Sequence, residues 1–333
     1  MNVYNTNTAN EAWIRAAKDF FDQMSESQAE SRLGPALEML HVGFSIENPR
    51  ERWIYSRFPP LNPAFALAEV VWIINGSKDA AFINNWNPAL PKYSGNSDEY
   101  HGAYGHRLIR HFGFDQLKRA YQVLLNNRNS RQVVLQIWDS KTDFPDQKGA
   151  PVSPDIPCNI CSLLKVRKER LEWSQIMRSN DFFRGLPYNF VQFTTLQEVL
   201  AGWLEVEIGT YNHFSDSLHL YKSDFNNIKI IDEEKIIHNS DILSLPFQAS
   251  IDSFSLLFEK MLKMTSPSLS SKEFMKISTP AFEYNAMQNI LLIVGADIAR
   301  RKKWQGIAGE LVENCSNLLY KKLWNNWLNS RNV

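Results

Sequence analysis

The residues best suited to chemistry lie in one central stretch, from Asp155 to Tyr221. Cys158 follows a proline-rich loop at the mouth of a predicted strand, and Arg178 stands at the end of the strand that would pair with it. A single strand cysteine is more often a small core residue than a nucleophile. A neighbouring guanidinium, however, can lower the pKa of a thiol and bind an anionic group of a substrate. The pair therefore predicts an activated thiolate beside an anion site.

Three predicted elements would position these side chains. Residues 158–166 and 171–177 have the alternating pattern of an antiparallel hairpin, with a turn at 168–170. Gly185 and Pro187 then introduce a helix that runs to about Leu204. A further strand ends at residues 218–221 and carries polar side chains.

Helices, strands and loops can also be predicted for the residues before the central stretch. A helix in this segment contains Glu69 among apolar residues, where a carboxylate must be paired, lie at the surface edge, or serve chemistry. The predicted order is helix 8–30, strand 36–46, strand 52–55, helix 63–75 ended by Gly76, loop 84–104, helix 114–127, strand 131–138 and loop 139–157.

The last hundred residues have a helical apolar spacing. Helices are predicted at 251–264, 284–299 and 305–328, with 266–274 as a linker. We therefore expect an α+β catalytic domain at 1–225 and a helical region at 226–333 that packs on the same domain.

Composition limits the function classes. The 333 residues carry 36 basic and 36 acidic side chains, so no global field attracts nucleic acid or a membrane surface. Three cysteines, no leader and no long apolar run are typical of the cytoplasm. The spacing of Cys158 and Cys161 fits a zinc ligand pair, but without a second pair we expect no metal.

Four motifs of the central stretch resemble thymidylate synthases. They are a proline-cysteine, an arginine-serine-x-aspartate run, a glycine-x-proline-x-asparagine helix start and a histidine-x-tyrosine strand end. Here they stand as Pro157-Cys158, Arg178-Ser179-Asn180-Asp181, Gly185-Leu186-Pro187-Tyr188-Asn189 and His219-Leu220-Tyr221. The resemblance implies an α+β fold with a large mixed β-sheet covered by helices.

A weaker resemblance extends upstream, so that the similarity covers about residues 12 to 225. Arg32-Leu33-Gly34 resembles the family's phosphate loop, and Glu69 resembles its helix glutamate. Tyr104-Gly105 and Ser130-Arg131 resemble two further family motifs.

The resemblance implies covalent catalysis on a pyrimidine nucleoside monophosphate, with dUMP as the expected substrate. Cys158 would add to C6, and C5 would then attack the methylene of 5,10-methylenetetrahydrofolate, the co-substrate. Arg178 and Arg32 would hold the 5′-phosphate with bidentate donors, beside Ser179. Arg131 would reach the phosphate of a neighbouring subunit, which implies a homodimer with shared sites.

The remaining family residues would bind or move protons. His219 and Tyr221 would hold the ribose hydroxyl, while Asn189 would read the base edge, donating to O4 and accepting from N3–H. Glu69 would shuttle protons to O4, and Tyr104 would assist loss of the C5 proton.

Folate contacts are implied for two residues of the central stretch, Asp181 and Gly185. Asp181 would contact the pterin. The loop 84–104 contains Trp86 but no tryptophan pair where the family shapes its folate site, and Ala89 or Leu90 and Tyr93 come closest.

Departures from the family pattern leave three hypotheses. Asn159, Gln132 and Ser217 replace a usual histidine, arginine and aspartate, and the chain ends at Val333 without the family's folate-closing tail. A closed site suits a thymidylate synthase, which uses the folate as hydride donor, whereas an open one admits water and suits a pyrimidine-nucleotide 5-hydroxymethylase. The third hypothesis is a non-catalytic nucleotide-binding homologue, for which the retained nucleophile has no evident use.

Overall fold

The structure is a computed structural model of the whole chain. It describes residues 1–22, 28–29, 34–225, 228–231, 237–279 and 282–331.

The strands and helices are numbered in chain order. The strands are β1 (Asn2–Thr6), β2 (Gln28–Ala29), β3 (Ala36–Ile46), β4 (Arg57–Phe58), β5 (Val133–Gln136), β6 (Asn159–Arg167), β7 (Arg170–Met177), β8 (Asn180–Asp181), β9 (Glu207–Tyr221) and β10 (Lys229–Ile230). The helices of the first two thirds are α1 (Ala9–Asp22), α2 (Pro63–Ile74), α3 (Ala80–Asn84), α4 (Pro91–Ser94), α5 (Tyr104–His106), α6 (Gln116–Asn126), α7 (Ser140–Asp143), α8 (Leu186–Leu204) and α9 (Lys222–Phe225). The last third contains α10 (Phe247–Met264), α11 (Ser271–Ser278), α12 (Asn285–Arg301), α13 (Gln305–Asn314) and α14 (Leu318–Asn329).

One mixed sheet organises the chain, in the order β1-β3-β9-β7-β6-β5. Strand β9 pairs antiparallel with β3 and parallel with β7, while β6 pairs antiparallel with both β7 and β5. Helix α8 packs against β7 and β9, and α2 packs against α8. A mixed β-sheet covered by helices confirms the α+β class expected from the sequence.

The β6–β7 hairpin forms as predicted, and its turn chemistry explains its tightness. Lys168 and Glu169 both have positive φ, 50° and 55°. Two such residues give a turn whose twist matches that of the flanking strands. The hairpin therefore brings the end of β7 back to the start of β6, where Cys158 lies.

Helix α8 is the central helix of the layer. Pro187 opens it, and Glu205 ends it in the left-handed conformation with φ of 54°. Glu198 is fully buried on this helix, where it pairs with Arg52 and accepts from the amide of Leu243 at 2.9 Å. A buried carboxylate without such partners would be strongly destabilising, so these contacts fix α8 against two distant segments.

The C-terminal helices lie against the N-terminal two thirds rather than apart from it. Trp86 is fully buried and donates from Nε1 to the carbonyl of Val294 on α12 at 3.0 Å. The Trp53 and Tyr320 rings meet edge to face at 5.6 Å between centroids. Helices α10, α12 and α14 also pack against α2.

Several predicted elements have different bounds in the structure. Helix α1 ends at Asp22 rather than residue 30, with 23–27 outside the described residues. The predicted strand 52–55 is wrong, because this segment is irregular and serves to bury Arg52. The predicted helix 305–328 is two helices, and Asn317 caps the second. The predicted linker 266–274 includes the first half of α11, which begins with a capping box of Ser270 and Glu273.

Strand β9 runs from Glu207 to Tyr221, so it ends within the predicted strand end at 218–221. Its core-facing positions include polar residues that are almost fully buried, such as His213 and Ser215. Since the buried face is not apolar, the usual hydrophobic alternation is weak and the sequence pattern does not locate the start of the strand.

Candidate active site

A cleft of about 550 Å³ opens at the mouth of the β6–β7 hairpin. This volume lies within the range of about 300–1,000 Å³ that is common for small-molecule sites. Six of the residues singled out in the sequence line it: Cys158, Arg178, Ser179, Asp181, His219 and Tyr221.

Cys158 and Arg178 are joined through the backbone at one wall of the cleft. The Arg178 amide donates to the Cys158 carbonyl at 2.9 Å. The Arg178 guanidinium donates from Nε to the Pro157 carbonyl at 3.0 Å and from Nη2 to the Ile156 carbonyl at 3.3 Å. These bonds hold a permanent cation within the segment that carries the thiol, as the sequence predicted.

His219, Ser179 and Asp181 form the neighbouring wall. The Ser179 hydroxyl lies 3.4 Å from His219 Nδ1, and β8 pairs Asp181 directly with His219. Burial lowers the pKa of His219 and raises the pKa of Asp181, while their opposite charges partly offset both effects. Asp181 also accepts from the amides of Phe183 and Arg184 at 2.8 and 2.7 Å, so it shapes the turn into α8 as well as the cleft.

Glu69 and Asn189 lie in a deeper layer and are linked by Gln192. Gln192 Nε2 donates to Glu69 Oε2 at 2.6 Å, and Asn189 Nδ2 donates to Gln192 Oε1 at 3.0 Å. Burial raises the pKa of Glu69 to about 7, although the bond from Gln192 acts in the opposite direction. A carboxyl group that titrates near neutral pH can both give and take a proton.

Tyr104 lies close to this layer and to the thiol. Burial raises the pKa of Tyr104, and the charges of Cys158, Asp155 and Glu69 raise it further, while Arg178 lowers it. The phenol therefore keeps its proton at neutral pH. It is available as a hydrogen-bond donor or as one link in a proton path.

Of three further residues predicted for the site, two do not line the cleft and one lies outside the described residues. Gly185 caps α8 and donates from its amide to the Asp181 carbonyl at 3.0 Å, behind the cleft wall. Arg131 is exposed just before β5 and lines no part of the cleft. Arg32 lies outside the described residues.

Sequence reasoning missed several side chains around the cleft. Trp138 lines it, with its ring centroid 5.4 Å from the Arg178 guanidinium carbon. Asp143 also lines it and is held in a two-bond ion pair with buried Arg107, at 2.6 and 2.8 Å. Gln192 could have been found, because a residue three after Asn189 shares its helix face.

Two of the family departures, Asn159 and Ser217, form side-chain hydrogen bonds. Asn159 is fully buried and its Oδ1 accepts from Gln175 Nε2 at 2.5 Å, while its Nδ2 has no hydrogen-bond partner among the described residues. Ser217 donates to Glu38 Oε1 at 2.5 Å, so a carboxylate from β3 stands beside the position where aspartate is usual. Trp86 packs in the core and does not line the cleft.

In the described part of the chain, no group of three or more His, Cys, Asp or Glu side chains is placed to hold a metal ion. Within the same residues, every helix is too short or too polar to cross a membrane.

One cleft beside the mixed sheet thus holds the thiol of Cys158, the Arg178 guanidinium and the histidine and tyrosine that end β9. The family model described as thymidylate synthase matches residues 60–258. The chain belongs to the thymidylate synthase family. The match begins later than the predicted limit of residue 12, and it runs beyond residue 225 into α10.

Individual relatives carry two different names. A deoxyuridylate hydroxymethyltransferase of Pseudomonas phage M6 is 32% identical over 202 residues, covering 60% of this chain and 56% of its own length. One of Bacillus phage SP01 is 31% identical over 199 residues, covering 56% and 51%. A thymidylate synthase of Francisella philomiragia subsp. philomiragia is 24% identical over 182 residues, covering 50% and 63%. The chain thus spans about half the length of the first two.

Proposed function

We propose that the protein transfers a one-carbon unit from 5,10-methylenetetrahydrofolate to C5 of dUMP, as a thymidylate synthase making dTMP. The observation that carries this proposal is the attachment of Arg178 to the backbone of Cys158 at the wall of one cleft. A nucleophilic thiol held beside a fixed cation suits covalent attack on an anionic substrate.

The proposed site contains a residue for each step that activates C5 of the uracil ring. The Cys158 sulfur bonds to C6 of the uracil, and the electrons of the C5–C6 double bond move toward O4. Glu69, whose pKa lies near 7, moves a proton at O4. Carbon 5 becomes the nucleophile that takes up the one-carbon unit, and Tyr104 assists the later loss of its proton.

The nucleotide fits the polar side of the cleft. Arg178 and Ser179 would hold the 5′-phosphate, His219 and Tyr221 the ribose hydroxyl, and Asn189 the uracil edge. The expected contribution of Arg32 to the phosphate remains part of this proposal. Guanidinium groups suit this role because they donate two parallel hydrogen bonds to phosphate oxygens.

The folate would use the apolar side chains of the cleft. Trp138, Pro154 and Ile156 line the cleft, Trp138 and Ile156 beside Arg178, and Asp181 would supply a carboxylate for ring N–H donors of the pterin. We keep Gly185 as a neighbour of this subsite, since it supports Asp181 through the backbone. The bound folate would supply the carbon and, in a synthase, the hydride.

The second candidate is a 5-hydroxymethylase that uses water in the last step. It is favoured by the names of the two phage relatives at 31% and 32% identity. The two reactions share Cys158, Glu69 and the loss of the C5 hydrogen. They differ in whether hydride or water reaches the exocyclic carbon.

We further propose a cytoplasmic homodimer without a nucleic-acid partner. All three cysteines are thiols, and the chain is electrically neutral. The sheet face away from α8 carries a row of half-buried side chains in register, Cys161, Ile176 and Phe214, with exposed Gln136 beside Cys161. A half-buried, partly apolar row of this kind suits a symmetric contact with a second copy.

Product analysis tests the proposed function. Purified protein is incubated with dUMP and 5,10-methylenetetrahydrofolate, and the nucleotide is identified by mass spectrometry. A methylated product supports the synthase, and a hydroxymethylated product supports the second candidate. Unchanged dUMP, from folded protein that binds the nucleotide, would contradict both and leave the non-catalytic hypothesis.

A further inference from the structure

The Asn189 amide can in principle face a pyrimidine in two ways. With Nδ2 toward position 4 and Oδ1 toward N3, it donates to O4 and accepts from N3–H, which fits uracil. Turned by half a rotation, the same amide accepts from the 4-amino group and donates to N3, which fits cytosine. An asparagine alone therefore does not decide between the two bases. Something must fix its orientation.

Gln192 supplies this constraint in the structure. It is 3% exposed and lies one turn after Asn189 on α8. Its Oε1 accepts from Asn189 Nδ2 at 3.0 Å, while its Nε2 donates to Glu69 Oε2 at 2.6 Å. In the part of the chain that the structure describes, we find no other side-chain partner for the Asn189 amide.

The two hydrogen bonds that link Asn189, Gln192 and Glu69 form a relay, and Glu69 sets its direction. In the structure Glu69 Oε2 accepts from Gln192 Nε2, as the ionised carboxylate must because it has no proton to donate, and this contact turns Gln192 Oε1 toward Asn189. Oxygen Oε1 in turn requires Nδ2 of Asn189. The second N–H of Asn189 and its Oδ1 remain to face a base, and the bond to Gln192 fixes which of them lies on which side.

We propose that Gln192 is a positioning residue that sets base specificity, by holding the Asn189 amide in the orientation that reads uracil and rejects cytosine. The inference rests on the proposed function, because it takes a pyrimidine nucleotide as the ligand. Gln192 would act on base specificity through Asn189, without contacting the base itself. An inverted amide would place two acceptors, Asn189 Oδ1 and Gln192 Oε1, against each other in a buried site, which is costly.

Equilibrium binding of dUMP and dCMP, measured by calorimetry, tests the proposal independently of turnover. Gln192→Met keeps the length of the side chain but removes both hydrogen bonds. We expect the ratio of the two dissociation constants to shift toward dCMP by at least about tenfold, within the discrimination typical of a bidentate amide pair.

Gln192→Glu is the conservative counterpart. Its carboxyl group can accept from Asn189 Nδ2 and, when protonated, donate to Glu69, so this variant should keep a ratio close to wild type. Gln197→Met is the matched control on the same helix. Gln197 is also fully buried, but its Nε2 donates to the carbonyls of Leu171 and Gly209, at 2.8 and 3.1 Å, away from the site. It should lower the melting temperature and leave the ratio unchanged.

The outcomes separate this inference from the proposed function. A folded Gln192→Met protein whose ratio stays within about twofold of wild type would overturn the inference, as would a wild type that binds both nucleotides equally. Should Gln192→Met not fold, loss of discrimination in Gln192→Glu would count against the relay in the same way. Discrimination by a wild type that forms no product would support the relay and contradict the proposed function. A wild type that binds neither nucleotide would contradict both.

Discussion

Glu69 shows at the scale of one residue how function and stability oppose each other. Its carboxyl group lies in the apolar interior of α2, where burial raises the pKa to about 7 from an ordinary 4.5. The folded protein therefore holds this proton more tightly than the unfolded chain does. The stabilisation from the bound proton is complete below pH 4.5 and is lost as the pH rises through 7.

Replacing Glu69 by glutamine should remove this pH-dependent cost. The amide keeps an oxygen for the Gln192 donor but does not titrate, so Glu69→Gln should gain stability relative to wild type by roughly 2–3 kcal/mol between pH 5 and pH 8. The value of kcat should fall by about 10²–10⁴, since a proton shuttle is lost. Urea unfolding at both pH values, with kcat measured in parallel, gives the two numbers. A stability difference that is the same at both pH values would contradict the raised pKa.

Single residues were also predictable to different degrees from the sequence. Cys158 and Arg178 were found because their types and positions suit one chemistry, and His219 and Tyr221 through the resemblance to the family; the structure brings the four into one cleft. Gln192 was missed, because the spacing of three residues from Asn189 gives only its helix face and not the direction of its two hydrogen bonds.

At the scale of elements, the approach of α5 to α2 places Tyr104 near Glu69. Gly105 makes the approach possible, because a Cβ on this residue would lie 2.3 Å from the Ile73 carbonyl oxygen. Ile73 lies one turn after Glu69 on α2. Tyr104 therefore takes its place only while residue 105 has no side chain.

Gly105→Ala should force these two helices apart. We expect a loss of about 1–3 kcal/mol of folding free energy, as is usual for overpacking against rigid backbone, together with a lower kcat from the displaced Tyr104. Gly309→Ala is the matched control, since Gly309 lies in α13 with no atom within 4 Å of the new Cβ. It should stabilise by up to about 1 kcal/mol. Equal effects of the two substitutions on stability and kcat would refute the close approach.

Elements were predictable where one face is apolar. Strand β3, helix α2 and the β6–β7 hairpin follow their sequence patterns closely. Strand β9 does not, since its buried face carries His213 and Ser215. The helices after residue 246 were recognised by their period, but their breaks depend on local caps such as Asn317.

At the scale of the whole molecule, we propose that residues 1–225 and 226–333 fold as one unit that dimerises. The bond from Trp86 to the Val294 carbonyl and the bond from the Leu243 amide to Glu198 join the two regions within the core. Arg131 is exposed and does not line the cleft of its own chain. A role for it at the phosphate therefore requires a second copy.

Mixing two inactive variants tests this assembly. A Cys158→Ser protomer still offers its Arg131, and an Arg131→Ala protomer still carries its own thiol. After random exchange of equal amounts, half of the dimers are mixed and each has one competent site of two, so activity should approach about a quarter of wild type. The activity of the mixture, compared with that of each variant alone, gives the answer.

Subunit exchange must be shown independently, for example by mass spectrometry of tagged copies. Mixtures no more active than their parents despite proven exchange would exclude a shared site. A monomer by light scattering would exclude it as well.

Hydrogen loss from C5 of the nucleotide tests the covalent role of Cys158 most directly. With dUMP labelled by tritium at C5 and with methylenetetrahydrofolate present, wild type should release tritium to water, whichever product forms. Cys158→Ser should release none above background while binding dUMP normally, because an alcohol ionises too weakly to add to C6. Cys161→Ser, three residues along on β6, should retain release. Release by Cys158→Ser at a rate near wild type would contradict the account.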